Sequence, residues 1–259
     1  MKILRWLAIG LIALAGLTSC EDAIRDGGTV GPIIPETWTE DSTYFTIDGS
    51  PNLLLGFDLR GQPLDTSSLG ELINRIAVSG GNYLAFNGSE LSNTILSSAY
   101  SLGAKLGVVI DTSGLPYGFT VANSVASFNA ALLAGSPAAG YRQPVQTALN
   151  SFRAARTVER HVRFWDMRID DELLGEAPPP GTVAATDAEN NYLVYIADVG
   201  RVQIIFRDSS QAARRVTVVG HLGTQRSEIL YPPYDRSFTL QSNEAKGGWM
   251  LIEPLEEGR

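Results

Sequence analysis

The sequence predicts an α/β unit followed by an all-β unit, and three observations carry this. Apolar runs of strand length alternate with helix-spaced apolar residues from Tyr44 to about Asp170. The triplet Pro178-Pro179-Pro180, which neither helix nor a paired strand tolerates, then interrupts the pattern. Beyond it only short strand-like runs recur, separated by turns such as Asp198-Val199-Gly200 and Lys246-Gly247-Gly248.

Taken in order, the chain begins with Lys2 and Arg5, then an uncharged apolar run from Trp6 to Leu17, then Thr18-Ser19-Cys20. A dozen apolar residues are too few to span a bilayer core of ~30 Å, so the run reads as the apolar part of an export signal. Residues 20–43, with Asp26-Gly27-Gly28, Gly31-Pro32 and Pro35, read as a tether.

Tyr44 to Ile47 is a strand entering the Asp48-Gly49 turn, and Asn52 to Leu59 is an apolar strand. Ser67 or Ser68 caps a helix running to Ser79, with Leu69, Leu72, Ile73 and Ile76 on one face and Gly80-Gly81 ending it. Asn82 to Asn87 is a strand, and Leu91 to Leu102 a helix stopped by Gly103. Lys105 to Asp111 is a continuous apolar strand, as in parallel sheets covered on both faces. Val121 to Leu133 is a helix, Ala138 to Arg142 a strand and Val145 to Val158 a helix. Seven strand candidates follow the prolines: 182–186, 192–197, 202–206, 215–219, 228–231, 238–240 and 249–253. They suggest a small antiparallel sandwich. The domain reading is thus signal 1–19, tether 20–43, α/β domain 44–177 and β-sandwich 178–259.

The formal net charge is −8, and removal of Lys2 and Arg5 makes it more negative still. Such a chain repels phosphate backbones, which excludes nucleic acid as a natural partner. Cys20 is the single cysteine, so no disulfide and no cysteine metal site can form within the chain. His161 and His221 are the two histidines; neither has metal-ligand spacing, and no phosphate-binding or dinucleotide fingerprint occurs. No cofactor is implied. Asp170-Asp171-Glu172 reads as a solvated face, and Trp165 as an anchor between the two domains.

Leu17-Thr18-Ser19-Cys20 resembles the lipobox of bacterial lipoproteins. That resemblance implies diacylglycerol on Cys20, a membrane link through acyl chains, and residence in the bacterial cell envelope. Ile47-Asp48-Gly49-Ser50-Pro51 followed by Leu54-Leu55-Gly56-Phe57-Asp58 resembles the opening of many TIM-barrel glycoside hydrolases. Gly80-Gly81-Asn82-Tyr83-Leu84 is similar to their next strand, and Gly140-Tyr141-Arg142 to the last barrel strand of an apiosidase-like group. Asn191-Tyr192-Leu193-Val194-Tyr195 and Gly248-Trp249-Met250-Leu251-Ile252 resemble the first and last strands of the β-sandwich, labelled collagen-binding, that follows those barrels. The resemblance implies a (β/α) barrel. A closed one takes about 250 residues, and the α/β stretch here has room for about half of that. The expected fold is therefore a shortened barrel-like domain plus a sandwich, with the middle strands missing.

Glycoside hydrolysis needs two carboxyl groups across one bond. At the ends of parallel strands, where such sites form, stand Asp58 and Asp111. Each follows an apolar strand, so partial desolvation is expected to raise its pKa toward that of an acid catalyst; each also suits a turn cap. Glu90 is a third acid, better read as a helix cap. Arg60, Asn87, Tyr117, Tyr141 and Arg142 lie at strand ends or loops and are the candidate sugar-binding groups. Two readings stand. One is an envelope lipoprotein related to glycoside hydrolases that acts on or binds carbohydrate. The other is a non-catalytic glycan- or protein-binding or structural lipoprotein that has lost hydrolase activity. The two open sheet edges of a shortened barrel call for cover by a homodimer, a helix or the tether.

Overall fold

The structure, a computed structural model, describes residues 36–37, 45–47, 50–112, 119–207, 212–231, 237–242 and 246–255. Cys20 and Tyr117 lie outside the described residues, as does most of the segment read as a tether. Within that segment, strand β1 (Glu36–Thr37) pairs antiparallel with β2 (Phe45–Ile47), and β2 with β3 (Ser50–Asn52).

The α/β region is an open parallel sheet of five strands. In chain order it comprises β4 (Leu54–Asp58), α1 (Leu69–Val78), β5 (Tyr83–Ala85), α2 (Asn93–Leu106) and β6 (Val109–Asp111). Then come β7 (Phe119–Val121), α3 (Val125–Leu133), β8 (Ala138–Tyr141) and α4 (Gln146–Glu159). The sheet order is β6-β5-β4-β8-β7, with every pairing parallel. The first strand therefore sits in the middle, beside the last. The two edge strands, β6 and β7, follow one another in the chain, and among the described residues they do not pair. The winding is that of a barrel opened between its third and fourth strands, and among the described residues no closed barrel forms.

Several local expectations are corrected. Ser68 occupies the N-cap of α1 but makes no capping bond; its hydroxyl turns back to Asp65, as does that of Ser67. Gly103 does not end α2. The helix runs to Leu106 and stops at Gly107, whose φ of 70° is the left-handed conformation glycine favours. Gly103 instead permits close packing: a Cβ there would stand 2.6 Å from Ile110 Cγ1 and from the Val108 carbonyl. The continuation of α2 shortens the strand expected over 105–111 to Val109–Asp111. Ser92, whose Oγ accepts from Ile95 N, is the cap of α2, not Glu90. Val121, expected to begin a helix, ends strand β7, and the helix begins only after Ser124, which makes a reciprocal capping box with Ser127.

The remaining strands are antiparallel. They are β9 (Arg168–Ile169), β10 (Val183–Thr186), β11 (Tyr192–Ile196), β12 (Gly200–Ile205), β13 (Arg214–Gly220), β14 (Gln225–Leu230), β15 (Ser237–Ser242) and β16 (Gly248–Pro254). Six form a sheet in the order β14-β13-β16-β11-β10-β9, and β12 pairs with β15. Alternate residues divide the six-stranded sheet between two cores. Tyr192, Val194, Val216, Val218, Met250 and Ile252 pack with Val202 and Ile204 of β12. Leu193, Tyr195, Val219, Trp249 and Leu251 join the helices of the α/β region in one continuous core. Helices α3 and α4 thus lie between the two sheets, α3 against β10 and β11 and α4 against β13 and β16. Phe164, fully buried, meets Trp249 edge-on at 5.7 Å between ring centroids. The aromatic joining the two regions is therefore Phe164, while Trp165 is only half-buried beside it.

Candidate functional site

The faces of the parallel sheet differ in chemistry. Leu53, Leu55 and Phe57 face the helices. Residues of the other parity, Leu54 of β4 with Tyr83, Ala85, Val109 and Ala138, form a separate buried cluster on the face away from them. Asp58 and Asp111 continue this second face at the C-terminal ends of β4 and β6. They are in register, since Asp58 pairs with Ala85 and Ala85 with Asp111. With strands ~4.8 Å apart, two aligned residues separated by one strand have Cα atoms roughly 9–10 Å apart. Ala85, which stands between them, is fully buried.

The backbone that makes this face is tight. A Cβ on Gly56 would run into the Tyr83 carbonyl, and one on Gly140 into the carbonyl of Gly56. The adjoining loop is set by Asn82, whose side-chain oxygen accepts from Leu55 N at 2.8 Å and whose amide nitrogen donates to Asn52 at 3.0 Å.

Asp58 is 6% exposed. Arg60 Nε donates to its Oδ1 at 2.7 Å, and the Arg60 backbone N–H reaches the same oxygen at 3.2 Å. Burial alone would raise the Asp58 pKa. The hydrogen bonds and positive charge of Arg60, with a smaller contribution from Arg142, outweigh it and hold the carboxyl below its ordinary value. The expectation of a raised pKa is thus corrected for Asp58. Tyr83 donates its phenol to Asp111 Oδ2 at 2.6 Å. Burial and this bond push the Tyr83 pKa far up, so the phenol stays protonated. The fields of Asp58, Arg60 and Asp111 all reach Tyr83, so the four side chains form one electrostatic group. Both Nη atoms of Arg60 are buried and have no hydrogen-bond partner among the described residues.

The other candidates divide. Arg142, exposed, contributes to the field at Asp58. Asn87 stands in the loop after β5, ahead of the 3₁₀ turn Gly88–Glu90. Tyr141 is not brought to this site. It pairs with Phe57, shares its helix-facing side, stacks on Phe128 at 5.2 Å and donates to Ser151 at 3.0 Å. Tyr83 is the member of the group that sequence reasoning missed. Its position two residues before Ala85, on the same face, is the signal that identifies it. Among the described residues no cluster of His, Cys, Asp and Glu suits a metal ion, and no helix is long and apolar enough to cross a membrane.

A glycoside hydrolase family 5 protein from Bacteroides vulgatus ATCC 8482 superposes on the chain with a TM-score of 0.65. The fold is glycoside-hydrolase-like. The two sequences are 8% identical, and the match covers 86% of this chain and 95% of that one. A second solved structure, described as a glycoside hydrolase, matches with a TM-score of 0.58 at 9% identity, over 86% of this chain and 97% of its own. Both matches take in nearly the whole neighbour, antiparallel sheets included. No family model matches the sequence, and no curated protein matches it.

Proposed function

We propose that this chain is a carbohydrate-binding protein of the glycoside-hydrolase fold, with its site at the C-terminal ends of β4, β5 and β6. The observation that carries the reading is the group Asp58–Arg60–Tyr83–Asp111 on the helix-free face of the parallel sheet. Carboxylate oxygens accept from sugar hydroxyls, and the guanidinium of Arg60 holds Asp58 in its ionised, accepting form. Arg142, whose charge also acts on Asp58, and Asn87, in the loop after β5, are the further candidates.

The glycoside-hydrolase-like fold and the register of the two acids favour a second reading, hydrolysis. Carboxyl groups ~6.5–9.5 Å apart suit inversion, and ~5–5.5 Å suits retention. Aligned aspartates two strands apart fall nearer the first range. Hydrolysis also needs one protonated carboxyl. Asp58, held ionised by Arg60, is the base in such a scheme and Asp111 the acid. Binding ranks first because it requires no protonated carboxyl.

A glycan screen reading binding and reducing-sugar release together tests both. Binding without release supports the first reading. Release abolished by Asp111→Asn supports the second. Neither signal over a broad panel refutes both.

The same proposal places the chain in the bacterial cell envelope, tethered through acylated Cys20. Mass spectrometry of the membrane-extracted chain should then show a diacylglyceryl-modified Cys20 at the N-terminus. The open edges β6 and β7 suit pairing in a homodimer, for which light scattering should return twice the chain mass.

A further inference from the structure

The six-stranded antiparallel sheet ends at β14, whose outer side has no partner strand among the described residues. Gln225 to Ile229 are all exposed, whichever face of the strand they are on. Ile229 is 47% exposed despite its apolar side chain. An edge of this kind is a template for another strand.

The backbone register fixes what the edge offers. In the β13–β14 hairpin Val219 stands opposite Gln225, and Thr217 opposite Ser227. The Gly220 N–H donates to the Thr224 carbonyl at 2.8 Å, so the pair just before Gln225 is hydrogen-bonded. Bonded and non-bonded pairs alternate in an antiparallel ladder. Arg226 and Glu228 therefore direct their backbone groups to Val218 and Val216, while Gln225, Ser227 and Ile229 turn theirs to the open side. The other side of β13 agrees. Leu255 N–H donates to the Ala213 carbonyl at 2.8 Å, in register with Val219 opposite Trp249, so Val219 and Thr217 bond to β16 and not to β14.

The side chains select the partner. Arg226 and Glu228 lie on one face, that of Val216 and Val218. Among the described residues neither is in an ion pair. A second copy of β14, laid antiparallel with Ser227 opposite the partner's Ser227, puts every outward-turned residue in a bonded pair, Gln225 with the partner's Ile229 and Ile229 with the partner's Gln225. The same register sets Arg226 opposite the partner's Glu228, and Glu228 opposite the partner's Arg226. These are non-bonded pairs, in which facing side chains stand closest. Sliding the partner strand by two residues, the smallest slip that keeps the bonding pattern, sets Arg226 against the partner's Arg226 or Glu228 against the partner's Glu228. Like charges directly opposite repel.

We propose that the outer edge of β14 is a homodimer interface with its two-fold axis at Ser227. It joins the two six-stranded sheets into one, and the reciprocal Arg226–Glu228 pairs set the register. The patch is self-complementary, as a two-fold interface must be. It uses neither β6 nor β7 and does not depend on the carbohydrate reading.

The test is sedimentation equilibrium of the full chain in a density-matched detergent. The parent should sediment at no less than twice the mass of one chain. Arg226→Glu alone and Glu228→Arg alone each bring like charges together twice across the axis, and each should raise the dissociation constant about tenfold or more. The double variant Arg226→Glu with Glu228→Arg should associate again. So should an equal mixture of the two single variants, which also shows that each has kept its fold. A parent of single-chain mass overturns the proposal. So does a mass unchanged in both single variants, which places the association at another surface such as β6 and β7. Failure of both the double variant and the mixture to reassociate overturns it as well.

Discussion

Arg60 reaches back two residues to Asp58, its Nε 2.7 Å from Oδ1, and so fixes a charge pair at the end of the central strand of the parallel sheet. The chain turns there to allow it. Gln62 N bonds to the Leu59 carbonyl, and Gly61 takes a φ of 74°. The pair sets the protonation of Asp58, and the charge of Asp111 also acts on the guanidinium.

The Asp58 pKa is lower in the folded chain than in the unfolded one, so its stabilising contribution is fully present above the unfolded value near ~3.9. That contribution is lost as pH falls through the folded value. Carbon-13 titration of the carboxyls should place Asp58 below the ordinary range. In Arg60→Ala, burial acts with less opposition, and the same resonance should titrate higher than in the parent. An unchanged Asp58 titration in Arg60→Ala contradicts this.

Tyr83→Phe removes the donor to Asp111 Oδ2 without changing the ring that packs 5.1 Å from Phe119. Hydrogen bonds to charged groups contribute about 1.5–3 kcal/mol. Urea unfolding should show a loss in that range, with an unchanged m-value.

Arg156 fastens α4 to the parallel sheet. Its Nε donates to the Gly80 carbonyl and its Nη2 to the Leu53 carbonyl, each at 2.8 Å, while Nη1 pairs with Glu159 at 2.6 Å. Arg156→Ala strips both carbonyls of a charged donor and should cost about 2–4 kcal/mol. Arg156→Lys, which cannot span three acceptors in a planar fork, should recover less than half of that in the same unfolding assay.

Gly140→Ala should abolish folding, since its Cβ runs into the Gly56 backbone of the paired strand. Gly135→Ala is the control. It has open space around it but a φ of 81°, and should cost only about 1 kcal/mol. Circular dichroism distinguishes the two outcomes.

The alternation of elements was legible because apolar spacing reports which face is buried. Every strand expected after the prolines forms, and β9 adds one ahead of them, pairing through Ile169 and Arg168 with β10. Strand parity also bears on the site. Counting by twos from Gly140 puts Arg142 on the Asp58 side of the sheet and Tyr141 on the helix side. What eluded the sequence is what depends on partners distant in the chain. Gly103 reads as a helix stop until Ile110 is seen against it. The depressed Asp58 pKa likewise depends on how a guanidinium folds back, which apolar patterning does not report.

The most direct measurement is calorimetric titration of the full chain with a glycan retained in the screen, run in parallel on Asp58→Asn, Arg60→Ala and Tyr141→Phe. The account predicts affinity lowered at least tenfold in the first two and unchanged in Tyr141→Phe, whose hydroxyl bonds to Ser151 in the helix-side core. Unaltered affinity in both Asp58→Asn and Arg60→Ala would contradict it and move the carbohydrate site away from the ends of the parallel strands.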